Sequence, residues 1–374
     1  MKTERQNKMF ISVLIPVYKQ PKLLEDIIEK ILKNKYEEKE ILVAIDGETN
    51  PEIEKVVSKY RGRVVIHYNG IHQGKVNLLN HLSEFARGEV LLFLDNVELP
   101  DNESFLSKLS KEIIKYDIVE LPKEAIVSNF FSKIISYDFL TVAVLCFIIS
   151  KTFKTNLFLS GAAFAIKKQT FEELGKFSKV INEDWDLMLK AFSLKKRYSF
   201  PTNLKVKTLA PANLDEWIKQ RNRWVLGIKF WWKQVTKNIK HYIKGLPRIF
   251  NIILFSSIPL IIGLIIKEFN LFSKFIPTLI ILTQHLSINS AMTSIIYFLS
   301  LTIILLQGLG PFLVSLFISS ITFFVFSKVL KFRFNIGEYL IYSLFYLPVM
   351  ALFYCVRFML SEVILKPQIE WKID

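Results

Sequence analysis

Two stretches hold residues whose types and spacing suit group transfer. In "INEDWDLMLKAF" (181–192), Asp184, Leu187, Met188, Ala191 and Phe192 fall at i, i+3, i+4, i+7 and i+8. On a helix these positions share one face. The carboxylate of Asp184 then turns toward the apolar side, which makes it a candidate general base. Asn182 is placed as the N-cap, while Glu183 and Asp186, off that face, are expected to be solvated. In "QRNRW" (220–224), Gln220, Arg223 and Trp224 stand at i, i+3 and i+4, adjacent on a helix surface. Asn213 and Glu216 give this helix a start like a capping box. The residue types allow two readings. Trp217, Trp224 and Trp231 recur every seven residues, as on a helix at the headgroup level of a bilayer. Alternatively, Arg223 neutralises a leaving diphosphate and Trp224 offers a flat apolar wall to a sugar ring. We assign Arg223 and Trp224 to the second reading, and Trp231 and Trp232 to the first.

Further positions suit an anionic ligand. Asp95 closes the apolar run "LLFLD" (91–95), where a charge is costly unless something uses it. A carboxylate there could hold Mg2+ or Mn2+ against a diphosphate, with Glu98 assisting. Asp46 ends another apolar run and precedes Gly47. It suits a uracil N–H or a ribose hydroxyl, and equally an ordinary Asp-Gly turn. Lys75, in "GKVNLLN" (74–80), stands at a helix start, where a cation beside helix N–H groups favours phosphate oxygens.

The elements that must position these residues are legible as alternating runs. "ISVLIPV" (11–17), "ILVAID" (41–46), "RVVIH" (63–67) and "VLLFLD" (90–95) read as strands, with amphipathic stretches between them. Strand-helix alternation predicts an α/β domain with a largely parallel sheet. Ligands bind such sheets beyond the carboxyl ends of the strands, a rim that takes in Pro16, Tyr18, Asp46 and Asp95.

Composition adds a membrane. The 374 residues are 51% hydrophobic, yet 49 Lys and Arg against 34 Asp and Glu leave a formal +15. That charge suits a nucleotide diphosphate or an acidic lipid surface. It does not point to nucleic acid, since zinc spacing, a recognition-helix pattern and an RNA-binding aromatic signature are all missing from the sequence. Cys146 and Cys355 sit in apolar stretches and suggest neither a disulfide nor a metal set. Residues 1–245 are read as a cytoplasmic catalytic domain. Within it, 126–155 and 213–245 are expected to lie along the membrane interface, a buried helix pair being the other reading of the first segment. Residues 246–374 are read as a transmembrane helical domain with about four spans of roughly 20 residues. The candidates are 249–266, 275–288, 293–326 (interrupted by "GLGP") and 339–365. The basic loop "KVLKFRF" (328–334) prefers the cytoplasmic side, making this a multi-pass protein of the cell membrane.

Taken together, "SVLIPVYKQ", "AIDGETN", "GKVNLLN", "LLFLDNVELP", "LFLSGAAFAIKKQTFEELGKF", "NEDWDL" and "QRNRW" resemble, in order, the family 2 glycosyltransferases, specifically the membrane synthases related to cellulose, chitin and hyaluronan synthases. The resemblance runs from about residue 10 to 232. It implies a GT-A (Rossmann-like) domain and inverting transfer from a nucleotide-diphosphate sugar, such as a UDP-sugar, to a glycan or lipid acceptor. By the same resemblance Asp46 contacts the nucleotide, and Asp95 serves metal and diphosphate. Ser160 and Gly161 line the acceptor site, and Asp184 deprotonates the acceptor hydroxyl. Gln220, Arg223 and Trp224 hold the acceptor sugar and the departing diphosphate. One position departs from the pattern: the family reads Asp-any-Asp where this chain has Asp95-Asn96-Val97, and Val97 cannot bind a metal. Two rival readings are single-sugar transfer to a membrane lipid and a non-catalytic nucleotide-sugar-binding protein. A polyprenyl-phosphate acceptor is already ionised and needs no base, so an inward Asp184 favours a hydroxyl.

Overall fold

The computed structural model describes residues 8–19, 23–68, 70–237, 298 and 312–364. The spans expected at 249–266 and 275–288 lie outside the described residues. The chain divides into two compact units, Met1–Lys244 with Ser327–Asp374, and Gly245–Phe326. All contacts of the site fall within the first.

The apolar runs form strands and the amphipathic stretches form helices. β1 (Ile11–Val17), β2 (Lys39–Ile45), β3 (Val65–Tyr68) and β4 (Val90–Leu94) alternate with α1 (Leu24–Lys33), α2 (Pro51–Lys59) and α3 (Lys75–Phe85). In α1 the buried residues are Leu24, Ile27, Ile28 and Ile31, one stripe at helical spacing that packs on the sheet. α2 starts where Asn50 accepts the Ile53 N–H at 2.9 Å and Pro51 supplies a fixed φ. β4 is buried along its whole length, which is why its sequence is continuously apolar instead of alternating.

Beyond β4 the chain runs β5 (Val97–Glu98), α4 (Phe105–Lys115), β6 (Ile118–Glu120), β7 (Lys123–Ile126) and α5 (Phe130–Phe153). It continues with β8 (Ala163–Lys167), α6 (Lys168–Glu173), α7 (Glu183–Ser193), β9 (Tyr198–Ser199), β10 (Val206–Leu209) and α8 (Leu214–Lys237). The main sheet has the order β3-β2-β1-β4-β8-β6-β9. Strands β1 to β4 are parallel, but β8 runs antiparallel to both β4 and β6. β6 and β9 pair parallel, so β8 alone reverses direction and the sheet is mixed but, as expected, largely parallel. The antiparallel register matters for the site. Leu94 faces Ala163, and Asp95 then donates its backbone N–H to Ala162 O at 2.8 Å. The rim after β4 is thus sewn to the loop that precedes β8. A second sheet has the order β5-β10-β7.

Apolar helices complete the unit. α5 is one continuous helix, opened by an Asn129–Ser132 capping box, and more than half of its apolar window is buried. α9 (Phe312–Leu330) is followed by the basic loop, α10 (Ile336–Ile341), a π-helical turn at Tyr342–Tyr346, and α11 (Leu347–Ile364). Pro348 has no N–H to offer the preceding turn, and the widened turn lies directly before it. The basic loop rests on the sheet domain: Arg333 donates its backbone N–H to Glu124 at 2.8 Å, and Lys205 reaches both Glu124 and the carbonyl of Lys331. α8 meets α11 in a small core of Ala125, Ile135, Ala210 and Trp217 with Tyr346, Met350 and Phe353 against it.

Among the described residues, α5, α9 and Ile336–Leu360 are long and apolar enough to cross a membrane. Phe317, Phe345, Leu352 and Met359 are exposed on the last two, and apolar surface on that scale points to a membrane.

Gly88 sets the closest backbone approach in the sheet. A Cβ there would lie 2.6 Å from Ser12 N and 2.7 Å from Phe10 O. Gly88→Ala is expected to destabilise the protein by about 1–3 kcal/mol, seen as a lower thermal midpoint by circular dichroism. An unchanged midpoint would mean that β1 and the turn before β4 are further apart than described.

Candidate active site

A cavity of about 630 Å3 opens beside the carboxyl end of β4. It is lined by Lys75, Asp95, Ser160, Gly161, Asp184, Gln220, Arg223 and Trp224. Lining residues as far apart in the chain as Lys75 and Tyr354 therefore share one space.

Asp184 occupies the first turn of α7, with Leu187, Met188, Ala191 and Phe192 buried on the same side. Its Oδ2 accepts the N–H of Gly161 at 2.7 Å, and its Oδ1 accepts the N–H of Trp185 at 2.9 Å. A Cβ at Gly161 would lie 2.9 Å from Oδ2, so glycine lets the loop close onto the carboxylate. Asn182 does not cap α7 with its side chain. It packs under α8 instead, where a Cβ on Gly227 would lie 1.9 Å from its Nδ2. Gly227 thus brings α8 against the start of α7, and with it Gln220, Arg223 and Trp224 into the cavity wall.

Lys75 is the first residue of α3, after Gly74 at φ 79°. Its ammonium lies 2.5 Å from Asp95 Oδ2 and 3.7 Å from Glu183 Oε1. Burial works against the lysine's charge, but Asp95 and Glu183 outweigh it and hold its pKa above the ordinary range. Glu183 corrects an expectation. Read as solvated, it is only 3% exposed, because the cation it faces comes from another element. Arg223 is exposed toward the cavity, yet the protein packed around its guanidinium lowers its pKa, against the charges of Asp95 and Glu183. Gln220 has its Oε1 buried with no hydrogen-bond partner among the described residues, an open acceptor for a ligand's hydroxyl.

Other expected residues stand apart. Asp46 is buried, and its Oδ1 accepts the N–H groups of Gln73 at 2.7 Å and Gly74 at 3.3 Å. His72 Nδ1 lies 3.1 Å from its Oδ2, and the His72 ring packs on Tyr18 at 4.9 Å. Asp46 fixes the turn that presents Lys75, and Pro16, Tyr18 and Asp46 do not line the cavity. Trp231, expected at the membrane interface, is half-buried and packs edge-on against Trp185 at 6.2 Å.

Among the described residues, no side-chain set for Mg2+ or Mn2+ assembles. Asn96 adopts a left-handed φ of 53°, and Val97 enters β5 fully buried in the core. Glu98 pairs with Lys207 at 3.3 Å and does not line the cavity. Asp95 is left as the one carboxylate of that loop facing the cavity, and Lys75 already sits on it.

Arg221 escaped the sequence reading. It is fully buried, ion-paired with Asp138 of α5, and donates to the Tyr346 hydroxyl at 3.2 Å. Its place within "QRNRW" was the available signal, but it stands off the face shared by Gln220, Arg223 and Trp224.

Residues 102–356 match the family described as glycosyl transferase family group 2, and residues 12–174 match glycosyl transferase family 2. The chain belongs to the family 2 glycosyltransferases. The transferase has a mixed α/β sheet domain followed by long apolar helices. It is similar to a poly-beta-1,6-N-acetyl-D-glucosamine synthase of Staphylococcus epidermidis, at 23% identity over 260 residues, covering 65% of this chain and 62% of that protein. It is also similar to the uncharacterized protein y4gI of Sinorhizobium fredii, at 34% identity over 107 residues, 27% of this chain and 12% of that one. The chain thus spans less than two thirds of the length of these relatives. Among solved structures, a mannosyltransferase from Pyrobaculum calidifontis, in complex with GDP-Man and Mn2+, matches at TM-score 0.48 and 20% identity, covering 59% of this chain and 63% of that one.

Restoring the family's second aspartate tests the loop. Val97→Asp places a carboxylate in the core, so it is expected to cost more than about 2 kcal/mol of stability and to create no Mn2+ binding by calorimetry. A stable variant that binds Mn2+ would show that the side chain at 97 can reach the cavity.

Proposed function

We propose that the chain is an inverting transferase that moves a sugar from a nucleotide-diphosphate sugar, a UDP-sugar, to an acceptor hydroxyl at the membrane, extending a polysaccharide. The observation that carries this reading is the Asp184 carboxylate, held by the Gly161 and Trp185 N–H groups on the wall shared with Lys75, Arg223 and Trp224. The Gly161 and Trp185 N–H groups orient the carboxylate on the cavity wall. Asp184 takes the acceptor proton while the acceptor oxygen attacks the anomeric carbon. The bond from that carbon to the diphosphate breaks on the opposite side, so the configuration inverts. The diphosphate departs with the electron pair, and Arg223 and Lys75 meet its growing charge. Trp224 supports the acceptor ring, and the open Oε1 of Gln220 takes one of its hydroxyls.

The basic loop at 328–334 supports a cytoplasmic catalytic side. It is bound to Glu124 of the sheet domain, so loop and domain share one side of any bilayer, and positive loops favour the cytoplasm. One observation favours a second reading, transfer of a single sugar to a hydroxyl of a membrane lipid. Val142, Leu347 and Met350, from two apolar helices, line the far side of the cavity.

Incubating the purified protein with radiolabelled nucleotide sugars and sizing the products decides between them: a ladder means a synthase, and one sugar per lipid means the second. Asp184→Asn is expected to lower transfer by about 10²–10⁴-fold while UDP still binds. Near-normal turnover in that variant would remove the base assignment. Arg223→Ala is expected to lower kcat by about 10²–10³-fold, and a change under a few-fold would return its helix to an interfacial role.

A further inference from the structure

We propose that Arg221 is a positioning residue, and that Asp138 and Tyr346 tie it to the C-terminal helices so that their docking sets the position of the Trp224 wall. The inference rests on reading the cavity as a transferase site. The first link lies within α8, and the others join different elements. The Arg221 guanidinium lies 4.0 Å from the centroid of the Trp224 ring, well within cation–π range. Arg221 is ion-paired with Asp138 on α5. Asp138 in turn accepts from the Tyr346 hydroxyl at 2.5 Å and the Tyr342 hydroxyl at 3.1 Å.

The Tyr346 hydroxyl is used to its limit. It donates to Asp138 and accepts from Trp217 Nε1 at 2.8 Å and from Arg221 at 3.2 Å. The π-helical turn has a role here. Its wider winding stacks Tyr342 on Tyr346, with ring centroids 5.3 Å apart and 22° between planes, and brings both hydroxyls to one carboxylate. Arg221, Asp138, Tyr342 and Trp224 all line the cavity, so the relay forms part of its wall.

A guanidinium with no exposure is tolerated only while its counter-charge and hydrogen bonds stay in place. A shift of α10–α11 that moved Tyr346 off Asp138 would loosen Arg221 and, with it, the indole. The proposed base would be untouched, since Asp184 accepts from the Gly161 and Trp185 N–H groups. The relay therefore predicts a defect in turnover without a defect in nucleotide binding.

The test uses the full chain in detergent, with Arg221→Met, Asp138→Asn, Tyr346→Phe and the double variant Arg221→Met/Asp138→Asn. Trp224 is read as the difference in emission and acrylamide quenching between each protein and the same protein carrying Trp224→Phe. UDP affinity is measured by calorimetry, and kcat and donor KM with whichever nucleotide sugar the wild type accepts. The relay predicts an altered Trp224 signal in Arg221→Met and Asp138→Asn, and UDP affinity within about twofold in every variant. It also predicts kcat lower by roughly 10–100-fold at unchanged donor KM, and a double variant no worse than the worse single one. If Asp138→Asn fails to fold, Tyr346→Phe, which keeps the ion pair, is expected to shift the Trp224 signal in the same direction by less. An unaltered Trp224 signal, additive losses, or kcat and UDP affinity falling together would overturn the relay. If the wild type transfers no sugar from any donor, the transferase reading fails alone, and the Trp224 signal still decides the relay.

Discussion

The Lys75 ammonium, 2.5 Å from Asp95 and 3.7 Å from Glu183, is the contact on which the donor side of the cavity depends. It joins three elements: the first turn of α3, the rim after β4 and the start of α7. Without the cation, two carboxylates from different elements would face each other in a partly dry space and repel. With it, this side of the cavity is a balanced cluster, one that the diphosphate of the proposed donor must reorganise. Asp46, further back, serves the same cation indirectly by fixing the turn that presents it.

Around that cluster, close approach is obtained through glycine. Gly161 lets a loop hydrogen-bond directly to the Asp184 carboxylate, and Gly227 lets α8 lie on the start of α7. The antiparallel insertion of β8 beside β4 is the sheet-level counterpart, because it places Ala162 opposite Asp95. The acid and the donor-side carboxylate are therefore held by neighbouring residues of one loop, Gly161 and Ala162. Their spacing is set by backbone and not by flexible side chains.

Much of this was legible in the sequence because it is local. Strand and helix identities followed from apolar runs and their period, and the inward face of Asp184 followed from the spacing of Leu187, Met188, Ala191 and Phe192. Contacts between remote elements were not legible. Glu183 looked solvated because the stripe of its own helix excludes it, and nothing local reveals Lys75. The antiparallel sense of β8 cannot be read from its composition. The Arg221–Asp138 pair links positions 83 apart, and Asp138–Tyr346 links positions 208 apart. Val97 was visible as a missing carboxylate, but its burial in the core is a property of the turn at Asn96.

The small core where Trp217 and Ile135 meet Tyr346, Met350 and Phe353 bears on how such a chain can be cut and recombined. Its two sides come from opposite ends of the sequence, and the clamp between Glu124 and Arg333 closes the same seam. The first unit is discontinuous, so severing the chain near its compositional boundary would strip an apolar surface bare and take the Tyr346 hydroxyl from the buried Arg221–Asp138 pair. Grafting this sugar-handling module onto a foreign membrane anchor would have to carry the last helical hairpin along with it.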